Sequence, residues 1–177
     1  MGISVRGLEP ADAEAAGLAR VEGWRHAYRG LVPREFLDGM DAARWAAGLR
    51  AGLAKEPPGV SHLVAEVEGH GVVGWACLGP YRPNPQVDGT AGGEGWGELY
   101  AVYVRPEFMG AGVGRALLGA ALDGLAALGH ARVRLWVLAG NAGARGFYER
   151  HGFAPDGAAA TFEISGAVVD EVRYARG

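Results

Sequence analysis

The sequence predicts a mixed α+β fold, in which about four helices flank a central, mostly antiparallel sheet of about seven strands. Three observations predict this class. Helical and extended patterns follow one another in the order β-α-α-β-β-β-α-β-α-β-β. One β-α-β unit, with strands at 96–104 and 132–138, predicts a single parallel pair. The other strands form hairpins, which are antiparallel.

The first part of the chain contributes one strand and the N-terminal helices. Residues 3–6 alternate in polarity, which predicts the first strand. A helical pattern with Pro in its first turn covers 10–25, and 34–37 forms a short second helix. Asp41 is a suitable N-cap for a further helix that ends near residue 53.

The middle of the chain predicts a hairpin and a long loop. Residues 60–67 and 72–78 are strand-like, and Gly69-His70-Gly71 forms the turn between them. Residues 81–95 are rich in Pro, Gly, Asn and Asp, which predicts a mobile loop. Cys77 is the only cysteine, so no internal disulfide is possible. We expect it to be a small buried residue.

The remaining elements follow the loop in an order typical of a β-α-β unit that leads into a final hairpin. They are a strand at 96–104, a helix at 112–128, a strand at 132–138, a helix that begins at Asn141, and a hairpin of 160–164 and 168–174.

Composition excludes several classes of protein. A chain of 177 residues with 49% apolar and 21% charged residues predicts one globular domain over 1–177. A net charge of −3 argues against nucleic acid as a partner. We see no signal peptide and no run long enough to span a membrane, so we expect a cytoplasmic protein. No cluster has metal-ligand spacing, and no metal is expected.

The stretch 102–118 carries the strongest functional signal. A strand ends before Pro106, and a turn containing Gly110, Gly112 and Gly114 leads into a helix. The first N–H groups of a helix have no partner within it, and the helix dipole favours negative charge there. The stretch therefore predicts a phosphate-binding site.

Three glycine-rich phosphate motifs can be compared with this turn. A P-loop needs Lys followed by Ser or Thr after its last glycine, and neither is present. A dinucleotide fingerprint needs a sixth-position glycine, where this chain has Arg115 or Leu117. A loop for the pyrophosphate of coenzyme A matches closely. A glycine-rich connection without a ligand remains the alternative.

Two motifs resemble those of the GCN5-related N-acetyltransferases (the GNAT superfamily). Residues 109–114 resemble its Q/R-x-x-G-x-G/A signature, with Met109 where the family usually has Gln or Arg. Residues 141–153 resemble its N-x-x-A-x-x-F-Y-x-x-x-G-F element. Residues 24–33 also resemble a segment of many uncharacterised bacterial members. The resemblance implies the GNAT fold over nearly the whole chain.

The resemblance also implies acetyl-CoA as the co-substrate. The pantetheine arm is expected to pair with the backbone of 101–104, with the Val102 amide polarising the thioester carbonyl. For Phe147, packing in the core is an alternative to ligand contact, and Phe153 is expected in the core. The residues expected to bind acetyl-CoA are Ala101, Val102, Tyr103, Val104, Met109, Gly110, Ala111, Gly112, Val113, Gly114, Arg115, Asn141, Ala144 and Phe147.

Two catalytic residues are expected. Tyr148 matches the family tyrosine that protonates the leaving thiolate. An alkylamine has a pKa near 10, so it must lose a proton before it attacks. Glu98 is the best candidate acceptor, since it shares a face with Tyr100 and Val102 unless a bulge intervenes. An ordinary exposed strand carboxylate is the alternative role for Glu98, and Glu94 is a weaker substitute.

The acetyl acceptor is expected to lie against aromatic residues. Trp24 and Tyr28 are four residues apart, so they share a helix face and can line a slot with Tyr100. Core packing is the alternative for this pair, and His26 is expected to be a polar residue on the helix face.

The function expected from these features is acetyl transfer from acetyl-CoA to a primary amine of a small molecule. Transfer to a protein or peptide amine and non-catalytic acyl-CoA binding are the alternatives. The sequence leaves the oligomeric state open between a monomer and a homodimer, and the resemblance admits the homodimer because family members are often dimers.

Overall fold

The computed structural model of the protein describes residues 2–89 and 92–177. Thr90 and Ala91, which belong to the predicted loop, lie outside the described residues. Seven strands form one sheet in the order β1-β2-β3-β4-β5-β7-β6. The strands are β1 (Ile3–Gly7), β2 (Ser61–Val67), β3 (Gly71–Pro80), β4 (Trp96–Val104), β5 (Arg132–Leu138), β6 (Ala154–Ile164) and β7 (Ala167–Arg176). The helices are α1 (Ala13–Ala27), α2 (Arg34–Asp38), α3 (Ala42–Gly52), α4 (Val113–Ala127) and α5 (Ala142–Arg150).

The α+β class and the mostly antiparallel sheet are confirmed. Strands β4 and β5 have the predicted bounds. Asp41 and Asn141 cap their helices by accepting hydrogen bonds from the amides of Arg44 and Ala144 (3.0 and 3.1 Å). The final hairpin is longer than predicted, because 154–159 joins β6 although its Ala, Gly and Pro residues carry little strand propensity.

Helices cover both faces of the sheet. The buried residues of α4 recur at helical spacing and pack on the strands through Val113, Leu117, Leu118, Ala121 and Leu125. Helix α1 lies on the opposite face. A Cβ on its Gly23 would lie 3.2 Å from the Tyr103 ring, so glycine permits a close approach to β4. No helix among the described residues is long and apolar enough to cross a membrane.

Strands β4 and β5 form the parallel pair and soon separate. Residues 96–98 lie opposite 132–134. Beyond them, β4 continues along β3, whereas β5 pairs with β7. We call the resulting gap the cleft. It exposes one edge of β4 in the middle of the sheet, where backbone groups have no neighbouring strand.

A β-bulge in β4 changes which side chains share a face. The register between β3 and β4 shifts so that Tyr100 is the extra residue. Glu98 and Tyr100 line a cavity on the α1 side. Val102 packs into the core beneath α4 instead. The expectation that all three share a face is therefore wrong for Val102, because the bulge restarts the alternation.

The loop that follows β3 has no helix or strand over its described residues, and buried hydrogen bonds tie it to β7. Its predicted mobility stays a prediction. Tyr81 donates its hydroxyl to Asp88 (2.6 Å). Arg173 donates to the Tyr81 hydroxyl and to Asp88 (2.8 and 2.7 Å). Burial opposes the charge of Asp88, but hydrogen bonds from Tyr81, the Asn84 amide and Arg173 outweigh it and lower its pKa to about 2.

We predict that Asp88→Asn lowers the free energy of unfolding at pH 7 by about 1.5–3 kcal/mol, because Arg173 loses a charged partner. In the native protein this contribution is complete above the unfolded pKa near 3.8 and declines as the pH falls toward 2. Urea denaturation at several pH values measures it. Asp170→Asn removes an exposed carboxylate of β7 and should have little effect. Equal effects of the two substitutions would contradict the prediction.

Candidate active site

Two cavities meet at the cleft. The first, of about 650 Å³, begins at the glycine loop (109–115), and we call it the loop cavity. The second, of about 470 Å³, lies on the α1 side between β4 and β7, and we call it the aromatic cavity. The residues that line both, and so form their boundary, are Tyr28, Tyr100, Tyr103 and Trp136.

The glycine loop presents backbone amides to the loop cavity. Gly110 and Gly112 have φ angles of +77° and +93°, which favour glycine, and Gly112 is the N-cap of α4. The amides of 112–115 form no hydrogen bond within the described part of the chain. A helix N-terminus with free amides binds an anion through both its donors and its dipole.

The basic side chains of the loop cavity also favour an anion. Arg115, Arg150, His26 and His151 line it, and no carboxylate of the described residues does. Met109 is 41% exposed at the cavity wall and offers no charge. Arg150 was missed by the sequence analysis because it lies at the end of α5, far along the chain from the loop.

Most residues expected to bind acetyl-CoA line this cavity, and two do not. The side chain of Val113 is fully buried in the core beneath α4. Ala111 is exposed outside the cavity lining. Only the backbone of these two residues can take part in binding. Phe147 lines the cavity and also packs against the core, where its ring would lie 3.6 Å from a Cβ on Gly114.

The free edge of β4 faces the loop cavity. Arg105 donates its amide to a β3 carbonyl (2.9 Å). Because backbone groups alternate along a strand, those of Ala101 and Tyr103 also point to β3, while those of Val102 and Val104 point to the cleft. This supports the expected role of the Val102 amide. It corrects the expectation that Ala101 and Tyr103 offer free backbone groups as well.

Tyr148 lies on α5 beside the cleft. Its ring packs edge-on against Phe147 and Phe153, with centroids 5.3 and 5.8 Å away. Its hydroxyl forms no hydrogen bond with a described residue, and the side chain lines the loop cavity. Burial, reinforced by Tyr103, raises the pKa of Tyr148. The phenol is therefore neutral at physiological pH and can donate a proton.

Glu98 is buried and paired, with only 3% of its surface exposed. Arg82 donates to it from its amide (2.9 Å) and from two guanidinium nitrogens (2.9 and 3.3 Å). The guanidinium carbon also lies 3.7 Å from the centre of the Tyr100 ring. The alternative of an exposed strand carboxylate is thus wrong for Glu98. The candidate substitute Glu94 is exposed and lines neither cavity.

A second carboxylate in the aromatic cavity, Glu171 on β7, was missed by the sequence analysis. It forms no side-chain hydrogen bond or ion pair with any residue that the structure describes. Burial, and then the charge of Glu98, raises its pKa. Side chains alternate along a strand, so Glu171 lies on the same face as the apolar Val169. The structure buries Val169, and that face is therefore the inner one.

The expected aromatic residues meet in the aromatic cavity. Trp24 and Tyr28 pack edge-on with centroids 4.7 Å apart. Both line the cavity together with Tyr100, as expected, and the Tyr28 hydroxyl lies 3.3 Å from that of Tyr103. His26 is exposed, as expected, at the rim of the loop cavity.

Over 2–89 and 92–177, no group of three or more His, Cys, Asp or Glu residues could hold a metal ion.

Comparison with known proteins gives consistent matches. The family model described as "Acetyltransferase (GNAT) family" matches residues 21–153. The uncharacterised N-acetyltransferase YuaI of Bacillus subtilis (strain 168) is 30% identical over 172 residues, which is 96% of this chain and 90% of that protein. A mycothiol acetyltransferase of Streptomyces griseus is 31% identical over 168 residues, 80% of this chain and 53% of that one. The chain thus spans about half of the latter's length.

A solved structure shows the same fold. The PaiA N-acetyltransferase of Thermoplasma acidophilum, determined in complex with coenzyme A, superposes with a TM-score of 0.73 at 18% identity and covers 99% of both chains.

Proposed function

The chain belongs to the acetyltransferase (GNAT) family, and from that premise we propose that it transfers the acetyl group of acetyl-CoA to a primary amine of a small molecule. The observation that carries this proposal is the pair of cavities that meet at the cleft. One is lined by cationic side chains and free amides, and the other contains two carboxylates and six aromatic rings. The two cavities thus suit an anionic donor and a cationic acceptor.

The loop cavity fits coenzyme A. The free amides of 112–115, with Arg115 and Arg150, would hold the pyrophosphate. The backbone groups of Val102 and Val104 would pair with the amide groups of the pantetheine arm, as an added strand pairs with a sheet edge. When bound, acetyl-CoA supplies an activated acyl group, and the Val102 amide would stabilise negative charge on its oxygen.

The aromatic cavity favours a small acceptor over a peptide. The loop 82–85 forms one wall of the cavity, and the β6–β7 hairpin forms another. Gln86 ties these walls together through two hydrogen bonds with the Thr161 backbone (2.7 and 3.0 Å). A peptide acceptor needs an open groove, which this tie would obstruct. Non-catalytic binding is less consistent with carboxylates on one side of the cleft and a phenol on the other.

The roles of the side chains follow from their places. A carboxylate of the aromatic cavity, Glu98 or Glu171, would take a proton from the acceptor, and Tyr148 would give one to the leaving thiolate. The proposal includes a cytoplasmic location, which the single free thiol of Cys77 is consistent with. A homodimer stays a prediction from the family.

We predict that Tyr148→Phe lowers turnover about 10²–10⁴-fold, because the thiolate loses its proton donor. Affinity for acetyl-CoA should change little, since the ring remains. Thiol release across a panel of amines measures turnover, and calorimetry measures binding. Tyr174→Phe also removes a buried phenol, but outside both cavities. It loses the hydrogen bonds of that phenol with Arg145 and Glu149 of α5, so it should lower the free energy of unfolding while keeping turnover much closer to that of the wild type. Unchanged turnover in Tyr148→Phe would remove this residue from the mechanism.

We predict that Gly112→Ala weakens acetyl-CoA binding at least about tenfold. A backbone φ of +93° is strained for alanine, so the loop should shift and its amides should no longer point into the cavity. Gly119→Ala is the matched control. It lies within α4 in open space, so it should stabilise the fold by about 0.5–1 kcal/mol and leave the affinity unchanged. Calorimetric titration with acetyl-CoA compares the two. Wild-type affinity in Gly112→Ala would contradict the assignment of the amide site.

A further inference from the structure

We infer that Glu171, rather than Glu98, binds the ammonium group of the acceptor and takes its proton, and that the acceptor carries this group on a flat, apolar body. This inference rests on the proposed function, because it assumes that the aromatic cavity receives the acceptor. It assigns a catalytic role to a residue of β7.

Glu98 and Glu171 differ in the hydrogen-bond partners that their carboxylates already have. Both oxygens of Glu98 already accept hydrogen bonds from Arg82. A carboxylate held in this way has its lone pairs occupied and offers fewer of them to a ligand. Glu171 has no such partner in the described part of the chain, so its oxygens are available to a ligand.

When the charged groups that line the aromatic cavity are paired with one another, Glu171 is the carboxylate that remains. Its titratable and charged residues are Tyr28 from α1, Arg82 from the loop, Glu98, Tyr100 and Tyr103 from β4, and Glu171 from β7. Strands β5 and β6 contribute residues that do not titrate, namely Trp136, Leu138, Phe162 and Ile164. The Arg82–Glu98 pair is neutral as a unit, and the tyrosines are uncharged at neutral pH. One unpaired negative charge therefore remains, which suits one ammonium group.

The walls of the cavity define the rest of the acceptor. Its six aromatic rings belong to Trp24, Tyr28, Tyr100, Tyr103, Trp136 and Phe162. Ring faces attract cations and pack against flat apolar groups. The guanidinium of Arg82 over the Tyr100 ring shows one face already used in this way. A cavity of about 470 Å³ has room for an arylalkylamine.

The position of Glu171 suits the chemistry at the cleft. It lies opposite Leu138 of β5, the strand that forms one side of the cleft. Burial raises the pKa of its carboxyl group, which makes it a better proton acceptor than an ordinary exposed carboxylate. The pKa of Glu171 thus moves toward that of the ammonium group from which it would take a proton.

The proton transfers balance as follows. The ammonium gives one proton to Glu171, and the free amine forms a bond to the thioester carbon. The carbon–sulfur bond then breaks, and its electron pair leaves on sulfur. Tyr148 gives its phenolic proton to that sulfur, and the second proton of the attacking nitrogen restores the phenol. Glu171 releases its proton to water, so one proton is produced for each amide formed.

Binding of a matched pair of probes tests this inference without requiring turnover. The probes are 2-phenylethylamine and its neutral analogue 2-phenylethanol, titrated into the coenzyme A-loaded protein at pH 7. The fluorescence of Trp24 and Trp136, which line the cavity, reports binding. We expect the wild type to bind the amine about tenfold or more tightly than the alcohol, and Glu171→Gln to lose that preference. Glu163→Gln, at an exposed carboxylate of β6, is the control and should keep it.

Turnover gives the second readout. With an amine substrate, kcat/KM of the wild type should fall as the pH drops through the raised pKa of Glu171, since the protonated carboxyl cannot accept a proton. Glu171→Gln should lose about 10²–10⁴-fold in rate at pH 7. Its remaining rate should show no step at the pKa of Glu171 and should rise with pH only as the acceptor itself loses its proton, near pH 10.

Three results would overturn the inference. They are a wild-type protein with no preference for the amine, a preference kept in Glu171→Gln but lost in Glu98→Gln, and an acid limb that keeps its wild-type midpoint in Glu171→Gln. Calorimetry with acetyl-CoA alone separates these results from failure of the proposed function. Loss of that binding would reject the donor site, whereas normal binding with any of the three results would reject only the role of Glu171.

Discussion

The separation of β4 from β5 is the constraint on which the rest of this structure depends. The parallel pair holds for three residues, and the strands then follow different neighbours. A sheet interrupted in this way leaves backbone donors and acceptors without partners in the interior, which is costly unless a ligand or water completes them. The same gap lets the loop cavity and the aromatic cavity meet. The gap between β4 and β5 therefore has two effects. It leaves backbone groups of β4 without a neighbouring strand, and it connects the two cavities.

Electrostatic asymmetry across the cleft completes this arrangement. Cationic side chains and helix amides lie on one side. On the other, Glu171 lies among aromatic rings and has no ion-pair partner within 2–89 and 92–177. Two ion pairs hold the walls of the aromatic cavity in place. Arg82 and Glu98 fix the loop against β4, and Arg173 holds Tyr81 and Asp88 against β7. These pairs position the loop that encloses the aromatic cavity, so the stability of the loop and the shape of the cavity are coupled.

Local signals in the sequence predicted much of this site. The glycines and Asn141 act through local geometry, φ angles and capping, so their places could be found from short motifs. The bulge at Tyr100 has no such signal, because it depends on pairing with β3. The Arg82–Glu98 pair and the inward position of Glu171 depend on contacts between distant segments. Alternation along β7 could have placed Glu171 on the same face as Val169, but only the register of the sheet places it in the cavity.

The most direct test of the central claim is an amide NMR titration with acetyl-CoA. Binding through the free amides of the glycine loop and the open edge of β4 predicts the largest shifts at Gly112, Val113, Gly114 and Arg115, and at Val102 and Val104. The amides of Ala101 and Tyr103, which point to β3, should shift less than those of Val102 and Val104. Binding that leaves the amides of 112–115 unchanged, or no binding at all, would contradict the account.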